Sequence, residues 1–446
     1  LTDIIKKTIF KNYILIETIR NFENMNKINA IKGTYDILPD EVMYWQRIEK
    51  IIRDITALFG YSEIRTPIFE ETGLFARSIG EDTDIVGKEM YSFYDMGKRS
   101  LTLRPEGTAS VIRAFIEHSL DQKNLPQKLW YMGPMFRQEQ PQKGRQRQFH
   151  QFGVEIIGSS LPVADSEAIV LFDRIAKEIG LKNRVFSINS IGSEESRKLY
   201  KTALSEFLDK YENGLCADCK RRRLTNPLRV LDCKKESCRK IISENSVPKT
   251  LDYLAINDRQ HFETVIEYLE RLNIRYKIDN FLVRGLDYYT GTVFEMESGA
   301  IGAQSAVMGG GRYDKLVGEL GGSNVPSVGF ACGMERLILA SNAENEQQII
   351  PDNLKYYVVI PEPSLFKKGL EYLGYLRNKG LSADMDMMGR SMKSQMKSAS
   401  RLGVEFVLIV EQDEEVSIRE MSVSQQKRIG FEEFKKYIEN TTNKQK

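Results

Sequence analysis

The chain has 446 residues, 41% of them hydrophobic and 28% charged, and its 64 basic and 62 acidic side chains balance to +2. That length suggests roughly two to four domains, and the near-neutral balance means that any nucleic-acid contact must come from local patches. No window approaches the roughly 18 apolar residues of a transmembrane helix, and five cysteines in a long chain with an ample core argue against a secreted disulfide scaffold, leaving the cytoplasm as the expected location.

Residues 1–24 place Ile4, Ile5, Ile9, Phe10, Ile14, Ile16 and Ile19 at loosely helical spacing, broken by charges that rule out the apolar centre of a signal peptide. The chain opens on Leu1, so the natural start is expected at Met25; a genuine amphipathic extension is the alternative. From Glu41 to Phe59, Val42, Trp45, Ile48, Ile52, Ile55 and Phe59 form one helical stripe that Gly60 ends. SEIRTPIFEE reads as a strand carrying Pro67, tolerated at an edge or interface. MYSFYD and SLTLRP flank MGKR as a hairpin, and EGTASVIRAFIEHSL predicts a helix from near Thr108. KLWYMGPMFRQE and QFHQFGVEIIG are long strands around a basic loop, followed by a helix from about Val163 to Glu178. The span from about 190 to 275 is helical and charged, holds four of the five cysteines, and reads as an insertion. Strand patterns return in NFLVRGLDYYTGTVFEME and SAVMGGGRYDKLV, and SVGFACGMERLILA reads as strand, glycine turn and helix. SNAENEQQIIPDN is polar and aperiodic, predicting a linker at 343–353; beyond it β and α alternate through 354–446, the pattern of a small α/β domain.

On the strand after the basic loop, period-two alternation puts Phe149, Gln151, Gly153 and Glu155 on one face and His150, Phe152, Val154 and Ile156 on the other. Glu155, between GV and II, is costly to bury without a partner. A ligand-facing sheet accounts for it; so does an antiparallel sheet with one wet face, which the pattern alone favours. Arg137, at the end of the preceding strand, suits a phosphate oxygen or a carboxylate, and Lys143, Arg145 and Arg147 can follow a polyanion from solvent. Glu106, Gly107 and Thr108 stand at a strand-to-helix turn, either as helix entry with Thr108 as cap or as an acidic pocket for an ammonium group. Arg284 and two tyrosines occupy VRGLDYYTGTVFE, and the glycines of MGGGRYD mark a tight turn or a close approach to a ligand. Gly329 and Gly333 lead into the helix that carries Arg336. GxxxxGK[ST] is absent and no GxGxxG follows a first strand, so ATP, if bound, sits on an antiparallel sheet.

Together these stretches resemble the class II aminoacyl-tRNA synthetases, and within them the histidyl-tRNA synthetase family, from about Met25 to the C-terminus. The helix and strand through Pro67 resemble the dimer-forming first motif, FRQE with its loop and return strand the second, and GFACGMERL the third. RGLDYYTGTVFE and GGGRYD resemble the two stretches peculiar to the histidyl branch. The resemblance implies an α+β fold: an antiparallel sheet flanked by helices over 25–342, with the helical insertion, then an anticodon-binding α/β domain over 354–446. It implies a homodimer that takes L-histidine, ATP with Mg²⁺, and tRNA(His). It also implies that Arg137 holds the α-phosphate, Glu139 the adenine amino group, Arg145 the γ-phosphate and Arg336 the opposite side of ATP, with Phe149 stacked on the base. Arg284 would bridge the substrate carboxylate and the α-phosphate; Glu106, Thr108 and Gln151 would take the α-ammonium; Glu155 and Tyr289 would hold the imidazole nitrogens, with Tyr313 lining the pocket. Lys143 and Arg147 stay without a role and are where the tRNA acceptor end is expected.

Cys216, Cys219, Cys233 and Cys238 are spaced C-x2-C-x13-C-x4-C. Four thiolates so spaced can make a structural zinc site. The resemblance carries no zinc requirement, so plain core cysteines are the preferred reading and no metal ligand is assigned; Cys332 is expected in the core. Lys220, Arg221, Arg222 and Arg223 form a solvated helix face or a tRNA contact. His118, His150 and His261 have no ligand spacing, so neither a histidine metal site nor Ser-His-Asp catalysis is expected. The alternative function is a non-catalytic, synthetase-like regulatory subunit of ATP phosphoribosyltransferase, which keeps the fold but generally lacks the anticodon domain. Arg137, Glu139, Arg284 and Arg336 all stand here, favouring the enzyme.

Overall fold

The structure is a computed structural model that describes residues 28–80, 83, 85–142, 144–299, 306–344, 354–412, 415–423 and 425–443. The extension 1–24, most of the linker 343–353 and Lys143 lie outside these. The chain divides into two units, Leu1–Gln347 and Gln348–Lys446.

In the first unit the predicted helical stripe forms the helix Pro39–Leu58, with a proline and Asp40 and Glu41 in its first turn, where a fixed φ and negative charge both favour a helix start. Its Trp45, Ile48, Ile52 and Ile55 are buried. SEIRTPIFEE does not make one strand. It divides into β1 (Ser62–Glu63) and β2 (Phe69–Glu71), which join different sheets. Pro67, without an N–H to donate to a ladder, stands between them. There the Arg104 guanidinium ties the bend together, donating to the Thr66 carbonyl at 3.0 Å and the Pro134 carbonyl at 2.9 Å. β2 pairs with the predicted hairpin, β3 (Tyr91–Tyr94) and β4 (Ser100–Leu103), in a three-stranded sheet.

The main sheet adds β5 (Gln127–Phe136), β6 (Gln148–Ile157), β7 (Phe186–Ser190) and β8 (Tyr276–Ile278). It is completed by β9 (Thr292–Glu297), β10 (Ala306–Arg312) and β11 (Ser327–Gly333). Its order is β1-β5-β6-β11-β10-β9-β7-β8, antiparallel through the centre with a parallel pair at each edge. Alternation divides its faces. Phe152, Val154, Ile156, Phe330 and Phe294 join one core with the helices Pro39–Leu58, Pro162–Glu178 and Met334–Glu344. Tyr131, Val293, Tyr289 and Tyr313 form a second core with Val111, Ile112 and Phe115 of the helix Thr108–Glu117, and this is the face that carries the site.

Two predicted features differ. Residues 282–291 carry no strand, and β9 begins at Thr292. Isolated bonds rather than a ladder satisfy that backbone: Asn189 donates to the Leu282 carbonyl at 3.0 Å, Arg197 to the Tyr289 carbonyl at 3.1 Å, and the Thr290 N–H to the Arg312 carbonyl at 2.6 Å. The glycines of MGGGRYD lie inside β10, as the strand reading expected, and serve a close approach rather than a turn; Arg312 at its end pairs with buried Asp165. Between β7 and β8, residues 194–253 build a small core of their own, while the helix Ile256–Arg271 sends Phe262, Val265 and Leu269 into the main core.

The second unit holds β12 (Tyr356–Val359), β13 (Ala383–Met385), β14 (Phe406–Val410), β15 (Glu415–Glu420) and β16 (Gln426–Gly430) in the order β13-β12-β14-β15-β16. The first three are parallel and crossed by helices, as alternating β and α patterns require. The hairpin β15–β16 was not legible in that pattern. No helix among the described residues is long and apolar enough to cross a membrane.

Candidate active site

β5 and β6 diverge at Phe136, and the chain beyond them sets out the basic half of the site. The Arg137 N–H donates to the Arg147 carbonyl at 2.8 Å, and its Nε to the Pro105 carbonyl at 2.9 Å, which fixes the guanidinium 5.3 Å above the ring of Phe149. Glu139 accepts from Arg145 Nη1 at 2.7 Å and lies 3.6 Å from Arg137 Nη1. Arg336, from the helix that follows β11, donates to the Gly144 and Ala306 carbonyls at 3.1 and 2.7 Å. Burial and the charge of Arg145 pull this guanidinium below its usual pKa range. These groups face a cavity of about 350 Å³ that Arg284, Gln151 and Tyr289 also line. Four guanidiniums around one space suit a polyanion.

The opposite half is built on Glu155, which is 0% exposed. Thr108 Oγ1 donates to Glu155 Oε1 at 2.7 Å and the Tyr313 hydroxyl donates to Oε2. Burial pushes this carboxyl up to about 8, the two hydroxyl donors opposing the rise and the Glu106 charge adding to it. The wet-face reading of β6 is therefore wrong here: Gln151, Gly153 and Glu155 are all buried. Thr108 is not the helix cap either. Glu106 accepts from the Thr108 and Ala109 N–H groups at 2.7 and 2.8 Å, leaving the Thr108 hydroxyl for Glu155. Gln151 Oε1 is buried with no partner among the described residues, an acceptor that a bound donor would satisfy. Tyr289 packs on Tyr288 with centroids 4.7 Å apart, and Tyr288 on Tyr313 at 5.6 Å.

Arg284 joins the halves. It leaves the irregular segment before β9, crosses Gly309 and pairs with Glu295, the residue that faces Gly309 across the β9–β10 ladder. Burial is the largest influence and would lower the Arg284 pKa; Glu295, with Tyr289, Tyr288 and Asp232 added, more than offsets it and raises the pKa. A Cβ at Gly309 would overlap this guanidinium. Gly309→Ala is therefore expected to displace Arg284 and lower turnover at this site by about 100-fold, with little change in melting temperature. Unchanged turnover in kinetic assays of the variant counts against this placement.

The site thus gathers Glu106, Thr108, Arg137, Glu139, Arg145, Phe149, Gln151, Arg284, Tyr289 and Arg336 on one cavity, with Glu155 and Tyr313 hydrogen-bonded to each other behind Thr108. Glu295 escaped the sequence reading, although it carried a signal like that of Glu155, a carboxylate between apolar residues of a strand. Tyr131, whose ring fills the space beside Gly107 and Gly153, gave no signal beyond its alternation with Gly133. The insertion supplies Asp232 and Lys234 to the same cavity, and a neighbouring one of about 810 Å³ shares Arg137, Arg284 and Tyr289.

Residues 33–337 match the family described as Histidyl-tRNA synthetase, and residues 355–441 the one described as Anticodon binding domain. The chain is 50% identical over 383 residues to the Histidine--tRNA ligase of Halothermothrix orenii, covering 86% of this chain and 91% of that protein. It is 49% identical over 416 residues to the Histidine--tRNA ligase of Thermosipho melanesiensis, covering 92% and 97%. Among solved structures, apo S. aureus histidyl-tRNA synthetase aligns with a TM-score of 0.77 at 36% identity, covering 92% of this chain and 99% of that one.

Proposed function

We propose a role for each wall of this pocket on one footing: the chain belongs to the histidyl-tRNA synthetase family. It is an ATP-dependent histidine–tRNA ligase. L-histidine and ATP, the latter with Mg²⁺ on its phosphates, give histidyl-adenylate and pyrophosphate, and the histidyl group then passes to the 3′ end of tRNA(His). The observation that carries this reading is the single cavity lined by four guanidiniums together with Glu106, Thr108 and Gln151, with the hydroxyl-braced carboxylate of Glu155 directly behind Thr108.

In the first step a carboxylate oxygen of histidine bonds to the α-phosphorus as the bond to the pyrophosphate oxygen breaks. Charge grows on the α-phosphate oxygens, where fixed cations act without reorganising. Arg137 takes that phosphate, and Arg284 bridges it to the histidine carboxylate. Arg145 reaches the γ-phosphate, and Arg336 closes ATP from the other side. Phe149 stacks on adenine and Glu139 accepts from its amino group, which requires the Glu139–Arg145 pair to part when ATP enters. Gln151 Oε1 takes the α-ammonium with Thr108 beside it; Glu106, held by the helix start, acts there as a fixed buried charge. Glu155 and Tyr289 read the two imidazole nitrogens and Tyr313 lines their pocket. Such pairing rejects apolar isosteres, which leave buried polar groups unpaired.

In the second step the ribose hydroxyl of the tRNA 3′ end attacks the histidyl carbonyl and AMP leaves. The unit after Gln348 takes the anticodon, the setting is the cytoplasm, and the chain works as a homodimer. Ile68, Phe69, Phe93 and Tyr94, exposed on and beside the three-stranded sheet, support that assembly. The regulatory-subunit alternative is disfavoured by the match of residues 355–441 to an anticodon-binding domain. The test is transfer of radiolabelled histidine to a tRNA(His) transcript. Acid-stable charging that depends on ATP is expected; adenylate formation without charging would remove the second step.

A further inference from the structure

The helical insertion brings its four spaced cysteines to one point. Cys216 and Cys219 come from the start of the helix Ala217–Thr225, Cys233 from the turn after Leu228–Leu231, and Cys238 from the helix Glu236–Glu244. Their four sulfurs all lie within 4.8 Å of one another, and Cys216 and Cys233 are 3.9 Å apart. Around a tetrahedral zinc with Zn–S bonds of about 2.3 Å, sulfurs stand about 3.8 Å apart. A disulfide would need about 2.05 Å, and all four cysteines are free.

We propose that Cys216, Cys219, Cys233 and Cys238 hold a structural zinc ion as thiolates. Cysteines that merely fill a core need no common focus, since packing is non-directional. Here three separate segments aim sulfur at one point, and the Cys216 N–H donates to Cys238 Sγ at 3.3 Å, a bond suited to a sulfur that carries charge. Zn²⁺ with four thiolates bears a net charge of −2, and within two residues of the cysteines the cations Lys220, Arg221, Lys234, Lys235, Arg239 and Lys240 outnumber the acids Asp218, Asp232 and Glu236. The surrounding core is small: Cys219, Cys233 and Cys238 pack with Tyr200, Leu204, Leu208 and Val230. A core of that size commonly relies on a metal or disulfide staple.

The staple also bears on the active site. Asp232 and Lys234, on either side of Cys233, line the arginine cavity. Between the second and third cysteines, Asn226 donates to Asp287 at 3.0 Å and Arg229 to the Gly285 carbonyl at 3.1 Å. The metal therefore fixes the segment that roofs Arg284 and its neighbours.

The test is metal analysis of the full, untagged chain purified without chelator, with cobalt substitution as a second readout. About one zinc per chain is expected, together with the thiolate-to-cobalt charge-transfer and intense tetrahedral bands of a four-sulfur site after exchange. Zinc should fall by about tenfold or more in Cys219→Ser with Cys238→Ser, and stay in Cys332→Ser. Metal-free protein without cobalt bands, iron in place of zinc, or cysteines paired as disulfides in the native chain would each overturn the proposal. None of these readouts depends on aminoacylation.

Discussion

Arg284→His is expected to lower histidine-dependent adenylate formation by about a thousandfold while histidine binding stays measurable. The guanidinium reaches the junction of the two half-sites from a segment without a strand ladder, over a glycine that leaves it room, and pairs with Glu295. An imidazole is shorter, lacks the fork that spans two anions, and is largely neutral near pH 7. Loss of one preorganised donor to developing charge costs on the order of 10²–10³, and here substrate positioning goes with it. In the proposed pocket Glu155, Gln151 and Tyr289 are the main holders of histidine, so calorimetric binding should weaken far less than turnover falls. The variant also leaves half-buried Glu295 without its cation, so its melting temperature should be measured alongside. A well-folded variant active within a few fold of the parent would remove Arg284 from the chemistry.

Glu155→Gln is expected to raise the KM for histidine about a hundredfold and that for ATP less than about threefold. The same change should stabilise the empty protein near neutral pH. Glu155 is raised from 4.5 to about 8 in the folded chain. Between those values the native state keeps a proton that the unfolded chain has released, so stability falls as pH rises through the window. Glutamine removes that loss, and the melting temperature of the variant should exceed that of the parent at pH 8 by a few degrees, roughly 2–4 °C per kcal/mol, and converge with it near pH 4.5. Histidine affinity of the parent should strengthen toward pH 8 as the carboxylate forms, and that slope should flatten in the variant. Equal losses for histidine and ATP would contradict the assignment.

Strand β6 shows what a sequence makes visible. Its period of two separates Phe152, Val154 and Ile156 from Gln151, Gly153 and Glu155, and the structure buries the first set in the main core. The same period says nothing about what lies above the second set. Glu155 lies between Thr108 from a helix start and Tyr313 from beyond β10, contacts separated by 47 and 158 residues that no local pattern encodes. The glycines of β10 were visible as a close approach or a turn, and only the neighbouring strand and the Arg284 side chain decide for approach. The role of Thr108 as cap was misread because Glu106, one residue before Gly107, also reaches the helix N–H groups. The four cysteines showed their spacing but not their common focus, which depends on the fold of three short helices.

The most direct test of the account is pyrophosphate exchange. The purified chain, given MgATP and radiolabelled pyrophosphate, is assayed with each proteinogenic amino acid in turn, without tRNA. Exchange is expected with L-histidine, at a rate at least about 10³-fold above that with any apolar amino acid. A folded, ATP-binding chain that shows no exchange with histidine, or exchanges equally well with another amino acid, would contradict it.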